Sequence, residues 1–454
     1  MQFRKVRQLA WTCAVAVASA AGLLSLGTAG AQAATTQCSG GNITGQGANV
    51  MKIAYQNVFD PDFNTSTNAL ACSGTQGTGG KPTVSYNATS SGIGLESWGV
   101  GGKSASFGST NAFVVTEEPP NPTEKTEIEN NEATKGSVAN SLLTIPVAQE
   151  AIAIDVHLPA NCTATSTPAP GRLVFTNKVL QEIFLGTIST WSAISGAGDT
   201  LTGSGCSSSI TRVVRLDSAG STHILKKYLN LINPNAFTTE NATSETWEQL
   251  SEGPGNTVWP AATVPVLRPA KTGDTAEVAK VAETAGSIGY SSLANARANS
   301  AFVPPAGGKE QPTFWAPIQN SGVGTIKQTF ADPSTDGESA TTADANCAKE
   351  KYTNGKGTKF PPASVQDTWQ AVTTETKQKN YPLCGIAYEL SLTKYSAYPG
   401  TSAEEEQTVH DSLGFNLATK TGGGQTLLNE AHDYEELPKT LDTESVKGVK
   451  LVGF

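Results

Sequence analysis

Histidine is scarce in this 454-residue chain, with four in all. None of His157, His223, His410 and His432 stands in a His-x-x-x-His or His-Glu-x-x-His spacing, which excludes the usual helical zinc-hydrolase site. The cysteines include no Cys-x-x-Cys pair, so a structural zinc site has no nucleus either. A secreted phosphatase would need a metal cluster or an activated nucleophile with a base in reach. His223 comes two residues after Ser221, but at a helix start it reads as a capping-region or rim residue. The chain is therefore read as a non-enzyme that needs no cofactor and no metal. Positive charge is also short: 31 Lys and Arg against 40 Asp and Glu leave a formal charge of −9, which argues against nucleic acid and anionic lipid as partners. Past the first residues no run is apolar enough to cross a bilayer, and no internal repeat of constant length occurs.

What is present begins with a leader. Arg4, Lys5 and Arg7 precede an apolar run over residues 9–26 and then Ala31-Gln32-Ala33, the pattern of a secretory signal peptide over residues 1–33. The run is long enough to raise a membrane anchor as the alternative, but Ala and Gly dominate it and a small-residue cleavage site follows at once. Neither Cys13 nor Cys38 follows the Leu-rich tetrapeptide of a lipoprotein signal, so no lipid anchor is expected. The mature chain is expected outside the cytoplasm, extracellular or periplasmic, as a monomer. Cleavage removes three basic residues and no acidic ones, taking −9 to −12. That balance does not forbid an anionic ligand, because a pocket of neutral backbone donors acts locally. Six cysteines remain, which in an exported chain reads as three disulfides. Sequential pairing, Cys38–Cys72, Cys162–Cys206 and Cys347–Cys384, is one of about fifteen connectivities.

About 420 mature residues suit two domains with inserted loops. Residues 117–140, 195–209 and 303–362 are rich in turn formers and solvated residues without apolar period and read as loops. Between them, strands are expected over 83–86, 105–107, 151–156, 210–215 and 287–290, and helices over 48–59, 177–185, 221–231 and 276–284. Such alternation implies α/β lobes with largely parallel sheets, in which ligands sit at the carboxyl ends of strands beside helix amino termini.

Three strand-to-helix junctions carry small or hydroxyl residues: Gly45 to Asn49, Thr89 to Gly94, and Asp217 to Thr222. Each can present unpaired helix N–H groups and a polar side chain to an anion, and glycine lets the backbone approach closely. Each alone is equally an ordinary cap or turn; only convergence in space makes a site. Arg215 ends an expected buried strand, where it can grip an oxyanion with two N–H groups while Asp217 orients its guanidinium. An ion pair at a strand end fits the same spacing. Trp98, Trp191, Trp247 and Trp259 are scattered as packing residues, with a sugar-stacking platform as the lesser alternative.

These segments, in this order, resemble the phosphate-binding component of bacterial phosphate ABC transporters. The motifs are the Gly-rich entry before residues 50–59, Val84-Ser85-Tyr86 followed by Ser91-Gly92, Ser106-Phe107-Gly108-Ser109-Thr110-Asn111, Ile183-Phe184-Leu185-Gly186, Arg215-Leu216-Asp217-Ser218-Ala219-Gly220-Ser221, Gly286-Ser287-Ile288-Gly289-Tyr290 and Tyr434-Glu435-Glu436-Leu437-Pro438. The resemblance implies an α/β, two-lobed periplasmic-binding-protein fold of type II, each lobe a mixed sheet flanked by helices, with hinge strands between. Its first lobe would hold residues 34–143, its second 144–290, and the first would resume over 291–454 with 303–362 as an insertion. It further implies a membrane ABC permease as partner, phosphate or a related tetrahedral oxyanion as ligand, and contacts from Asn49, Ser91, Gly92, Asn111, Arg215, Ala219, Gly220 and Ser221. The family has Thr or Ser at Asn49, Ser at Ala219 and Asp at Asn111. An Asp there accepts a hydrogen bond from a protonated phosphate oxygen and repels an anion without a proton, whereas Asn111 offers donor and acceptor alike and should discriminate less against sulfate. A missing hydroxyl at Ala219 costs a bond of roughly 1.5–3 kcal/mol, for which Ser218 stands one residue away. A non-transport adhesion or sensory protein that keeps the fold with a degenerate pocket is the alternative.

Overall fold

The computed structural model describes residues 40–453, apart from 66–81, 132–139, 167–168, 195–198, 234–246, 248–256, 261–264, 304–311, 321–328, 336–343, 348–351, 354–364, 367–368, 370–372, 375–379 and 429–432. The expected leader and the expected Cys38–Cys72 pairing fall outside the described residues.

The molecule is organised on one strand. β4 (Leu142–His157) runs sixteen residues, fifteen of them buried. Its amino-terminal part reads Leu-Leu-Thr-Ile-Pro-Val and its carboxyl-terminal part Ala-Ile-Ala-Ile-Asp-Val, two runs that lack alternation because both faces are covered. Ahead of it come β1 (Ile43–Gly47), β2 (Val84–Ala88) and β3 (Phe113–Thr116). After it come β5 (Thr211–Arg212), β6 (Ser287–Ser292), β7 (Thr313–Ala316), β8 (Cys384–Leu392) and β9 (Tyr434–Glu435). The order across the sheet is β2-β1-β3-β8-β4-β6-β5, with β7 and β9 also on β4. β8 and β9 pair with the first part of β4, up to Ala151, and β6 and β7 with Ile152–His157. The sheet therefore has two halves sharing one strand. Pro146, which cannot donate to a ladder, pairs with Tyr388 at the point where the β8 register shifts.

The expectation of largely parallel sheets holds only at the margins: β1 with β2, β1 with β3, and β5 with β6 are parallel, while every pairing of β4 and β8 is antiparallel. The helices flanking the sheet are α1 (Ser91–Ser97), α2 (Pro122–Asn130), α3 (Asn177–Leu185), α4 (Gly220–Ile232), α5 (Asp274–Glu283), α6 (Ala403–Asn416) and α7 (Lys439–Val449). α3 buries Val179, Leu180, Ile183 and Phe184, is capped by the Thr176 hydroxyl on Val179 N, and ends at Gly186 with φ 90°, a left-handed stop that suits glycine. The segment expected as one helix over 48–59 is helical but irregular: a 3₁₀ turn Asn49–Met51, a π-helical stretch Ala54–Phe59, then an α-helix Asp60–Thr65.

Other expectations are corrected. Residues 105–107 are not a strand; β3 lies further on, at Phe113–Thr116. The loop expected over 117–140 contains α2, started by a capping box in which Asn121 Oδ1 takes Glu124 N and Glu124 Oε2 takes Asn121 N. The loop expected from 303 contains β7, whose Phe314 and Trp315 are buried against β4. The disulfides Cys162–Cys206 and Cys347–Cys384 are present as sequential pairing predicts.

Candidate functional site

The sheet delivers four chain segments to one place, each at the carboxyl end of a strand. β1 leads to Asn49, β2 to α1, β3 to Glu117, and the segment after β5 to Arg215 and α4. The site is built from both halves of the sheet.

Ser90 caps α1 by accepting from Ile93 N at 3.3 Å, which frees the next hydroxyl. Ser91 Oγ donates to Glu117 Oε2 at 2.5 Å and accepts from Gly220 N, the first amide of α4, at 3.1 Å. Gly92 N donates to Ser218 O at 3.2 Å. Two glycines make these approaches feasible. A Cβ on Gly92 would lie 2.2 Å from Ser218 Cβ, and one on Gly220 1.6 Å from Glu117 Oε2. A carboxylate oxygen thus sits against the amino terminus of α4, in a notch that only glycine leaves open. Ala219, extended at φ −117°, is the residue before α4 and supplies no side-chain cap.

Arg215 is 1% exposed. Asp217 takes its Nε and Nη2 at 2.9 and 2.6 Å, while Nη1 reaches Ser221 Oγ at 3.0 Å and Asp274 Oδ1 in a short contact. Ser221 Oγ donates to Asp274 Oδ1 at 3.0 Å, Ser292 N holds Asp274 Oδ2, and Asp274 N donates to Asn49 Oδ1 at 2.9 Å. Glu277 Oε2 stands 3.8 Å from Arg215 Nε. Burial alone would lower the arginine pKa, but Asp274 and Asp217 outweigh it and hold the guanidinium above its ordinary value.

One guanidinium faces more carboxylates than it can balance, and burial decides which keep their protons. Burial pushes the Glu117 carboxyl up to about 8, against the hydrogen bond from Ser91 and with Asp274 adding to the rise. Burial likewise raises Asp274, opposed by Arg215, and carries Glu277 well above the usual carboxylate range. Glu150, on β4, is driven up by burial and then by Glu117 and Asp274, and neither of its oxygens has a hydrogen-bond partner. Beside this cluster the His223 imidazole, in the first turn of α4, pairs closely with Glu118, and both are buried.

Of the sequence-predicted residues, Asn49, Ser91, Gly92, Arg215, Ser218, Ala219, Gly220 and Ser221 meet in this network or flank it. Asn111 does not join them. Its Nδ2 donates to Ser97 Oγ at 2.9 Å and Ser106 O at 2.6 Å, its carbonyl takes Trp98 Nε1, and its amide donates to Gly108 O, so it braces the turn ahead of β3. The acidic position next to Ser91 is Glu117. Misplacing the strand at 105–107 shifted that position from the end of β3 to Asn111; the apolar run Phe113-Val114-Val115 was the available signal. Gly273-Asp274 belongs to the motifs of the resemblance but was given no role at the site, and Glu277 was not singled out, since nothing in a helix start reveals a guanidinium some sixty positions earlier in the chain. Among the described residues no group of three or more His, Cys, Asp or Glu is arranged to hold a metal ion, and no helix is long and apolar enough to cross a membrane.

A two-lobed α/β scaffold with polar strand-to-helix junctions converging between the halves of its sheet defines a binding-protein architecture. The sequence matches a family described as the PBP superfamily domain over residues 32–405, and the chain belongs to that family. A search of curated proteins returns no match. Among solved structures, a phosphate-binding protein from Stenotrophomonas maltophilia superposes with a TM-score of 0.55 at 17% identity, covering 88% of this chain and 92% of that one. A high-affinity periplasmic phosphate-binding protein, PfluDING, bound with phosphate, gives 0.56 at 18% over 88% and 92%. A human phosphate-binding apolipoprotein gives 0.56 at 18% over 88% and 93%. At this identity the likeness establishes the two-lobed fold.

Proposed function

We propose that the mature protein is a secreted solute-binding protein that closes on phosphate or a related tetrahedral oxyanion and delivers it to a membrane ABC permease. The observation that carries this reading is the meeting of strand-to-helix junctions at the amino terminus of α4, where Ser91 Oγ accepts from Gly220 N and donates to Glu117 Oε2, so that hydroxyl, amide and carboxyl groups surround one point. Arg215 and Ser221 lie in the same network. In this reading Arg215 acts as a fixed positive pillar, already held by Asp217 and Asp274. The ligand is gripped mainly by neutral donors, the α4 amides, the Ser91 hydroxyl and Glu117 in its protonated form. The lobe boundaries near residues 144 and 290, the absence of a catalytic role, and the contacts from Asn49, Ser91, Gly92, Arg215, Ser218, Ala219, Gly220 and Ser221 belong to the same proposal.

A second reading is favoured by the same carboxylate. Glu117 fills the notch and several acids surround one arginine, so a protein that kept the fold and gave up transport for an adhesive or sensory role is the competing reading. Calorimetry of the mature protein with phosphate, arsenate, sulfate and molybdate separates them. Saturable heat with at least one anion, lost in Ser91→Ala, supports the transport reading; no heat with any of the four supports the degenerate pocket.

A further inference from the structure

β3 ends at Thr116, and the chain then turns through Glu117-Glu118-Pro119-Pro120. The turn is stiff: Thr116 Oγ1 donates to Glu118 O at 2.8 Å and accepts from Glu118 N at 3.1 Å, and the two prolines that follow have a fixed φ. Two consecutive acids are thereby presented by the half of the sheet that holds β1 and β3. Both reach α4, which follows β5 in the other half: Glu117 Oε2 lies against Gly220, and Glu118 pairs with His223. Around them the halves are joined by the protein's own groups. Gly92 N donates to Ser218 O, Gly220 N to Ser91 Oγ and Asp274 N to Asn49 Oδ1, and Ile224 of α4 packs on Gly385 of β8, where a Cβ would lie 2.2 Å from Ile224 Cδ1. The place that the Glu117 carboxyl takes is the one the oxyanion reading gives to an anion oxygen, beside the first amide of α4 and the Ser91 hydroxyl that donates to Oε2. The carboxyl is held there by one oxygen, since Oε1 has no hydrogen-bond partner although the side chain is buried. An acceptor so placed and only half satisfied is exchangeable for a ligand oxygen.

We propose that Glu117 is an internal, autoinhibitory ligand: its carboxyl occupies the oxyanion position at the amino terminus of α4 and clamps the two halves together until an incoming anion displaces it. The proposal rests on the oxyanion reading above and extends it to how access to that site is controlled. Apparent affinity for the anion is then reduced in proportion to the fraction of molecules in which the position stands open.

Hydrogen exchange of the mature protein, read by mass spectrometry on peptides that contain Gly92 and Gly220, tests the clamp, because both amides bond across the halves. Removing one hydrogen bond shifts an opening equilibrium about two- to ten-fold. In Glu117→Ala, exchange at these peptides should quicken by about that factor while peptides from β4 keep the wild-type rate, and saturating inorganic phosphate should restore protection. Glu117→Asp, one methylene shorter, gives a second variant should the alanine protein fail to fold, and the same quickening is expected. Glu117→Gln, which keeps the length and an acceptor oxygen, should exchange as the wild type does. Calorimetric heat with phosphate from the variants but not from the wild type also supports the clamp. Exchange at Gly92 and Gly220 that is unchanged by shortening Glu117, that quickens equally in β4, or that stays fast when phosphate binds overturns the clamp; phosphate heat in those cases leaves the oxyanion reading standing. No heat with phosphate from the wild type or any variant overturns both.

Discussion

Glu117 offers the sharpest test of the site's electrostatics. Its carboxyl, pushed up to about 8 by burial, presents a proton to a ligand at neutral pH and a negative charge above that. An anion bound against the notch should therefore meet a donor at low pH and repulsion at high pH. Between about pH 7 and pH 9 the protonated fraction of a group titrating near 8 falls about ten-fold, which corresponds to about 1.4 kcal/mol of lost binding free energy. Sulfate is the right probe because it carries no proton across this window, so the ligand contributes no titration of its own. Calorimetric affinity for sulfate should fall about ten-fold over those two pH units in the wild type and stay flat in Glu117→Gln, whose amide donates at every pH. Binding accompanied by proton uptake above pH 8, seen as a buffer-dependent heat, should vanish in the same variant. A wild-type affinity that is constant or rises with pH, or an identical slope in Glu117→Gln, would refute the role given to this carboxyl.

Other outcomes follow from the same network. Arg215→Ala leaves Asp217, Asp274 and Glu277 without their counter-charge and should lower unfolding free energy by about 3–5 kcal/mol, measured by denaturant titration; adding Asp274→Asn should recover part of it. Glu117, Asp155 and Glu389 are each raised to about 8, so between their unfolded values near 4 and about 8 the folded state holds more protons than the unfolded one. Stability must then decline as pH rises through that window, and the melting temperature without ligand should be lower near pH 8 than near pH 5.5; a melting temperature that rises over this range would contradict the raised carboxyl groups. Asn111→Asp should leave anion selectivity untouched, because Asn111 lies outside the cluster, but should cost about 1–3 kcal/mol by removing the donor to Ser97 and Ser106. A sharpened preference for phosphate over sulfate in that variant would return Asn111 to the site.

Periodicity sufficed for α3, α4 and α5, whose buried faces repeat every three to four residues, and for β2, β6 and the second part of β4, which are short runs carrying β-branched or aromatic residues. It failed for β3, which lies in a continuous apolar run after a Gly- and Ser-rich stretch, and no strand was expected where β8 runs with Glu389 and Ser391 in it. Glu389 is in fact buried, with Tyr55 OH donating to Oε2 at 2.7 Å, a partner more than three hundred residues away. α2 was hidden because Pro, Glu and Asn, the residues that start a helix well, are also those that populate loops.

By itself the sequence determined the local devices: the glycines and hydroxyls at strand ends, and the arginine followed two residues later by its aspartate. These depend on neighbours along the chain, and their chemistry is fixed by residue type and spacing. Only the tertiary structure decided that Glu117 rather than Asn111 stands beside Ser91 and that Asp274 and Glu277 converge on Arg215. Those facts arise where the two halves of one sheet bring the ends of separate strands together. Burial there sets the protonation of each acid, and no local pattern in the chain encodes the depth at which a carboxyl will come to rest.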